Sequence, residues 1–264
     1  MDFQNKSKVH TNNKTMSTRT DLLFEQTDKI TEFAGENSLL ITKEKEHTYC
    51  NIHYPRLDTV TDTEKAEKNI IKALKVLVPV VPENILVAGL GNRFVTPDSL
   101  GVLAVEKILA TRSIKNENLN NPFKNLKAIS TLVPSVSGKT GIESYEMITA
   151  VAKKINPDLI IVVDALAALK DENLFSVVQI TDCGIKPGSG VNGRHKEISK
   201  NTCNIPVIAI GIPTVTETPS GAIVTPKEVD LLISLNAGLL SRALNRFLHP
   251  MLDYRTIAKI SDIS

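Results

Sequence analysis

The chain has 264 residues, of which 42% are hydrophobic and 23% charged, and this suits one α/β domain with a sizeable core. Its formal net charge of +2 creates no long-range field that would attract nucleic acid or an anionic membrane. Aromatic residues make up only 4%, without tryptophan, which argues against a base-stacking platform. We therefore expect neither nucleic acid nor a membrane among the partners.

The amino-terminal segment, residues 1–21, is polar and rich in Asn, Lys, Thr and Ser. Such a composition cannot bury enough apolar surface to order itself, so we predict a removable tail. It lacks the apolar stretch of a signal peptide, and no apolar run in the chain is long enough to cross a bilayer. The cysteines, Cys50, Cys183 and Cys203, are widely spaced and odd in number, which favours a reducing cytoplasm.

Apolar patterns then define the predicted elements in chain order. Residues 22–60 mix short apolar runs with charged stretches and predict a strand or two outside the main fold. A helix is predicted over residues 62–78, where apolar residues recur at helical spacing. From residue 85 onward, short apolar runs alternate with helical patterns. We predict strands at 85–90, 127–133, 159–164, 176–181 and 206–212, and helices at 97–110, 141–155 and 227–248.

Strands that alternate with helices form βαβ units. The sequence therefore predicts a three-layer α/β fold, with a mostly parallel sheet and helices on both faces. We expect residues 22–264 to make a single domain with a small amino-terminal extension.

Two aspartates are the main candidates for chemistry, because ligands of an open parallel sheet bind outside the carboxyl ends of its strands. Asp98 follows the first core strand and Asp164 ends the strand at 159–164, so with the loop at 182–194 they should share one edge. Asp98 equally suits the first turn of a helix, where its charge meets the helix dipole. For Asp164 a functional role is favoured, because burying a carboxylate without a partner costs roughly several kcal/mol.

A pair of carboxyl groups can divide acid and base roles when their pKa values are pushed apart. Which aspartate would take which role is not decided by the sequence. The long glycine-containing loop adds Gly188, Ser189 and Gly190, whose backbone N–H groups suit an oxyanion or substrate but equally a flexible connector.

Supporting roles are predicted for three residues near the same edge. Asn92 lies in the turn before Asp98, and Asp182 follows the strand at 176–181. Glu143 either faces the active edge or simply begins a helix with an acid in its first turn. No spacing suits zinc, so we predict no cofactor, with a divalent ion held by carboxylates and one histidine as the open alternative.

Several motifs together resemble the germination protease family. Their order and density make the resemblance specific from residue 85 to residue 250 and thin before that. The matching stretches are residues 19–22, 89–92, 96–101, 140–143, 164–168, 179–191, 206–215, 224–230 and 248–250.

The resemblance implies an atypical aspartic-type endopeptidase, related in fold to hydrogenase maturation proteases. It further implies that the enzyme degrades small acid-soluble spore proteins in the germinating spore core and is made as a zymogen. A homotetramer and the catalytic pair Asp98 and Asp164 are also implied, the same pair that the strand ends indicate.

The family cuts its own propeptide after an acid in an Arg-Thr-Asp-Leu context, which corresponds here to the bond between Asp21 and Leu22. Residues 1–21 are then the propeptide. Residues 31–36 resemble the family's substrate site more closely, so we predict a second self-cleavage between Glu32 and Phe33.

Two regions, between residues 45 and 80 and between 216 and 224, are shorter than the resemblance leads us to expect. In the glycine loop, residues 192–193 read Asn-Gly, whereas the resemblance leads us to expect Gly-Asn. These departures bear on oligomeric state, regulation and substrate range. Two alternatives therefore stay open: a metal-dependent maturation-type protease that acts on one partner protein, and a catalytically silent binding protein on the same fold.

Overall fold

The structure is a computed structural model that describes residues 20–26, 38–57, 63–113, 126–188, 195–253 and 255–257. The strands are β1 (Leu39–Glu44), β2 (His47–His53), β3 (Asn84–Gly89), β4 (Ala128–Leu132), β5 (Leu159–Ala168), β6 (Val177–Thr181), β7 (Val207–Glu217) and β8 (Ile223–Val224). The α-helices are α1 (Leu23–Gln26), α2 (Glu64–Leu77), α3 (Leu100–Val105), α4 (Ser137–Thr140), α5 (Ser144–Ile155), α6 (Lys200–Cys203) and α7 (Val229–Leu248). Two short 3₁₀ helices are Thr96–Asp98 and Asp171–Asn173.

All eight strands belong to one sheet, in the order β1-β2-β6-β7-β5-β3-β4, with β8 paired to β7. Strands β7, β5, β3 and β4 are parallel to one another and form the core predicted from the apolar runs. Their side chains are apolar on both faces because helices cover both faces. The predicted α/β fold is confirmed.

The other half of the sheet is antiparallel, and here two predictions are wrong. Strands β1 and β2 do not lie outside the main fold, because β2 pairs with β6 and its residues Cys50 and Ile52 are fully buried. Strand β6 runs antiparallel to β7, so it is not part of the parallel core. Periodicity identified these strands, but strand direction depends on the long connections between them.

Helices pack on both faces of the sheet, as predicted. Helices α2, α3 and α7 cover the larger core cluster, and α5 covers a smaller one that includes Ile148 and Ile160. Gly101 in α3 permits a close approach, since a Cβ there would lie 2.3 Å from the carbonyl oxygen of Val163. This contact places the segment before α3 against the ends of β3 and β5.

Two predicted helices differ from the observed ones in their bounds. The helix predicted at 97–110 is a 3₁₀ turn at Thr96–Asp98 followed by the short α3. The helix predicted at 141–155 is α5, which begins three residues later, at Ser144, because the left-handed Gly141 (φ of 71°) ends the preceding α4. Within the described ranges, no helix combines the length and apolar character needed to cross a bilayer.

Candidate active site

The candidate site lies where β5 extends beyond β3. Gly89, the last residue of β3, pairs with Val163, and the chain then turns away through Leu90 and Gly91. Strand β5 continues past Asp164 to Ala168, paired with β7. The prediction that Asp164 ends its strand is therefore wrong. Asp164 is instead the first β5 residue without a β3 neighbour, and this opening is where a ligand can approach the sheet.

Asp98 reaches the same opening from the 3₁₀ turn that follows β3. The backbone N–H of Asn92 donates to Asp98 Oδ2 at 2.8 Å and also lies 3.2 Å from the Asp98 carbonyl oxygen. Gly91 permits this tight turn, because its φ of 107° is one that residues with a side chain rarely adopt. The carboxyl group of Asp98 is thereby held in a fixed position.

Asp164 is buried, Asp98 is half-buried, and the two carboxyl groups interact electrostatically. Burial raises the pKa of Asp98 to about 6, against a smaller opposing effect of the Asn92 N–H. Asp164 is only 6% exposed, and burial raises its pKa well above the usual range. The charges of Asp98 and Asp21 raise it further, while the N–H of Ala165 lowers it. The more deeply buried Asp164 thus holds its proton more tightly than Asp98 does.

This arrangement predicts a stability change for Asp98→Asn. The folded-state pKa of about 6 exceeds the ordinary value of 3.8, so wild-type stability falls as pH rises between these values. The neutral asparagine avoids this cost and still accepts the Asn92 N–H. We expect Asp98→Asn to gain on the order of 2 kcal/mol at about pH 8 and almost nothing at about pH 4. Urea unfolding at both pH values measures this, and an equal effect at both would contradict it.

A cavity of about 910 Å³ surrounds the pair. One wall contains Glu143, Tyr145, His195 and Lys196, and Gly188 contributes at the end of the described part of the glycine loop. Glu143 caps α5 and accepts a hydrogen bond from the backbone N–H of Lys196 at 3.2 Å. Glu143 thus lies at the N-cap of α5, one position before its first turn, and also lines the cleft.

Residues 20–26 lie along this cleft. Asp21 pairs with β5 through two hydrogen bonds, from its own N–H to the Ala167 carbonyl at 3.0 Å and from the Ala167 N–H to its carboxylate at 2.8 Å. Leu22 is fully buried in the larger core cluster. The predicted self-cleavage bond therefore begins in the cleft that holds the two aspartates.

Glu25 anchors the other end of this segment. Its carboxylate accepts hydrogen bonds from the backbone N–H groups of Leu169 at 2.7 Å and Lys170 at 3.1 Å. The side-chain amide of Asn173 donates to it at 2.6 Å, and the Thr20 hydroxyl also contacts it. Backbone N–H groups of β5 and of the residues after it thus bind the carboxylates of both Asp21 and Glu25.

Gln179 also binds the segment, and the sequence interpretation missed this role. Its side-chain amide contacts both the Asp21 carbonyl and the Leu23 N–H. A signal was present in the sequence, because Gln179 interrupts the apolar run of β6 between Val178 and Ile180. A glutamine that is only 7% exposed in a strand needs polar partners.

Other predicted residues fall elsewhere. Asp182 lies outside the cleft, where its carboxylate accepts the Thr48 N–H at 2.8 Å and approaches His47 at 3.4 Å. Thr181 and Gly184, on either side of it in the chain, do line the cleft. Ser189, Gly190, Glu32 and Phe33 lie outside the described residues. Within the described residues, no group of three or more His, Cys, Asp or Glu side chains is arranged to hold a metal ion.

The model of the germination protease family matches residues 56–222, more than half of the chain. The chain belongs to the germination protease family. The germination protease of Priestia megaterium is 47% identical over 148 residues, which cover 56% of this chain and 39% of that protein. Those of Geobacillus sp. strain WCH70 and Bacillus cereus strain B4264 are 44% identical over the same length.

The chain spans about 40% of the length of these curated relatives. Among solved structures, the NiFe hydrogenase maturation protease HycI from Thermococcus kodakarensis KOD1 aligns with a TM-score of 0.39 at 20% identity. That alignment covers 66% of this chain and 98% of the other.

Proposed function

We propose that this chain is an endopeptidase in which Asp98 and Asp164 hydrolyse peptide bonds by activating water, and that it cleaves its own Asp21–Leu22 bond. One observation carries the proposal. Two carboxyl groups with raised pKa values, the buried Asp164 and the half-buried Asp98, share a cleft with residues 20–26. Membership of a family named for a protease supports the same reaction.

The unequal environments of the carboxyl groups suggest their roles. Asp98, with a pKa of about 6, is ionised at neutral pH and accepts a proton from the attacking water. The oxygen of that water bonds to the Asp21 carbonyl carbon and leaves a tetrahedral oxyanion. Asp164, which keeps its proton, donates it to the Leu22 nitrogen as the C–N bond breaks. The products are a new carboxyl group at Asp21 and a new amine at Leu22.

Small acid-soluble spore proteins are the proposed external substrates, cleaved during germination in the spore core by a homotetramer. The family and the acid-led cleavage context support this. Residues 20–25 and 31–36 share a Thr-acid-apolar-x-x-Glu pattern, in which Glu36 corresponds to the anchored Glu25. Because the second copy has the features that the cleft binds in the first, we also propose cleavage between Glu32 and Phe33.

Incubation of the purified full chain at mildly acidic pH tests the proposal. We expect mass spectrometry to show new amino termini at Leu22 and Phe33, and an added small acid-soluble spore protein to be cut after glutamate. Asp21→Ala should slow cleavage at Leu22 roughly tenfold, because it removes the hydrogen bond to the Ala167 N–H. An intact chain and an intact spore protein, with and without divalent metal, would refute the proposal. Cleavage only with metal would instead support the maturation-type alternative.

A further inference from the structure

We infer that Gln179 is the oxyanion donor of this site. Its Nε2 donates a hydrogen bond of 3.0 Å to the Asp21 carbonyl oxygen, and its Oε1 accepts one of 2.9 Å from the Leu23 N–H. The Asp21 carbonyl belongs to the bond that we propose is cleaved, so the inference rests on the proposed function. Gln179 therefore already touches the atom on which negative charge develops.

The sheet register places Gln179 opposite the acid pair. Gln179 pairs with Gly211, and Gly211 pairs with Asp164, so the three residues form one row across β6, β7 and β5. Directly paired residues point to the same face, and neighbouring strands lie about 4.8 Å apart. Gln179 and Asp164 thus face the same cleft about 10 Å from each other. The Asp21 residue lies in this cleft, bonded to Gln179 and close enough to Asp164 to raise its pKa.

The orientation of the Gln179 amide follows from its two partners. The Leu23 N–H can only donate, so it must face the amide oxygen. The amide nitrogen then necessarily faces the Asp21 carbonyl, which can only accept. Because Gln179 is 7% exposed and both of these contacts are made, the donor is held in place before reaction.

A preorganised neutral donor is suited to this task. Attack of water converts the Asp21 carbonyl oxygen into an oxyanion, and a hydrogen bond to a charged acceptor is stronger than one to a neutral carbonyl. A cationic donor in the same place would stabilise the ground state beside two carboxyl groups. Removal of one oxyanion donor typically lowers the rate of acyl transfer by about 10²–10³-fold.

The chain contains a matched control in Gln26. Its Nε2 donates to the Thr20 carbonyl at 2.8 Å, one residue before the proposed scissile carbonyl, and the residue is exposed. Gln26→Ala therefore removes the same kind of amide contact from the same segment without affecting the reacting atom. We expect it to change the rate by less than about twofold.

The experiment compares self-cleavage of the full-length wild type, Gln179→Ala, Gln179→Glu and Gln26→Ala between about pH 5 and pH 8. The readout is the first-order rate of appearance of the Leu22 amino terminus, with thermal unfolding as a check on folding. We expect Gln179→Ala to be slower than wild type by about 10²–10³-fold at every pH. Gln179→Glu keeps the shape and the acceptor for Leu23, but its carboxylate cannot donate. The introduced carboxyl group can donate once it is protonated, so the rate of Gln179→Glu relative to wild type should rise as pH falls.

Three results separate the outcomes. A folded Gln179→Ala that cleaves within about threefold of wild type overturns the inference alone. A Gln179→Glu rate that is a constant fraction of the wild-type rate at all pH values also overturns the inference. A purely structural role of Gln179 would give that result, because it does not depend on protonation of the introduced carboxyl group. A wild type that leaves the Asp21–Leu22 bond intact overturns the proposed function and this inference with it.

Discussion

Asp98→Asn and Asp164→Asn should each slow cleavage of the Asp21–Leu22 bond by at least about 10³-fold, with the chain still folded. Each loss is near the upper range for general acid–base catalysis, because the proposed roles depend on each other. Without the Asp98 carboxylate nothing accepts the proton of water, and without the Asp164 proton the leaving nitrogen departs unprotonated. The double variant should be little slower than either single variant, since groups that act as one unit are strongly non-additive.

Asp182→Asn is the matched control for this pair, because its carboxylate is bonded to the Thr48 N–H outside the cleft. We expect it to cleave at nearly the wild-type rate, as measured by the new Leu22 amino terminus. A single Asp98 or Asp164 variant that retains more than about a tenth of the wild-type rate would contradict the assigned roles.

Gly91→Ala should destabilise the fold by about 3 kcal/mol or more and abolish cleavage. A Cβ at Gly91 would lie 1.8 Å from the Asp98 carbonyl oxygen and 3.1 Å from its carboxylate oxygen. The substitution also strains the backbone, because the φ of this residue is 107°. Strain and overpacking each cost roughly 1–3 kcal/mol. Displacement of Asp98 by about 1 Å is alone enough to lose about 10²-fold in rate.

Alanine substitutions at two nearby glycines separate the cost of the close contact from the cost of the backbone strain. A Cβ at Gly138 would meet no atom within 4 Å and its φ is ordinary, so Gly138→Ala should change stability by less than about 0.5 kcal/mol. A Cβ at Gly141 also meets nothing, but its φ of 71° adds strain, so Gly141→Ala should cost about 1 kcal/mol. Urea unfolding ranks the three variants. If Gly91→Ala is no worse than Gly141→Ala, the turn does not depend on the close contact with Asp98.

The carboxylate pair could be predicted from local sequence because each aspartate follows an apolar run. The strands that became β3 and β5 are buried on both faces, and such strands read as continuous apolar stretches. A parallel sheet then brings the end of β3 beside the middle of β5, and Asp98 and Asp164 line the same cavity there. The motifs of the germination protease family lead to the same two residues.

The antiparallel half of the sheet could not be predicted in the same way. Strands β1, β2 and β6 have recognisable strand patterns, but whether β6 runs parallel or antiparallel to β7 depends on the path of the connecting chain. The register of β6 against β7 places Gln179 in the row of Asp164, while Asp182 binds the Thr48 N–H outside the cleft. A local pattern contains no information about such a reversal.

The sequence by itself determined the α/β class, the parallel core and the pair of candidate acids, because apolar runs buried on both faces and the acids that follow them are properties of short segments. Only the tertiary structure decided which polar groups meet. Gln179 and Asp21 are 158 residues apart in the chain, and Ala167 and Asp21 are 146 apart. Their hydrogen bonds form because β5 extends beyond β3 and leaves room along its exposed edge for residues 20–26. That room is set by where neighbouring strands end, a property of the assembled sheet.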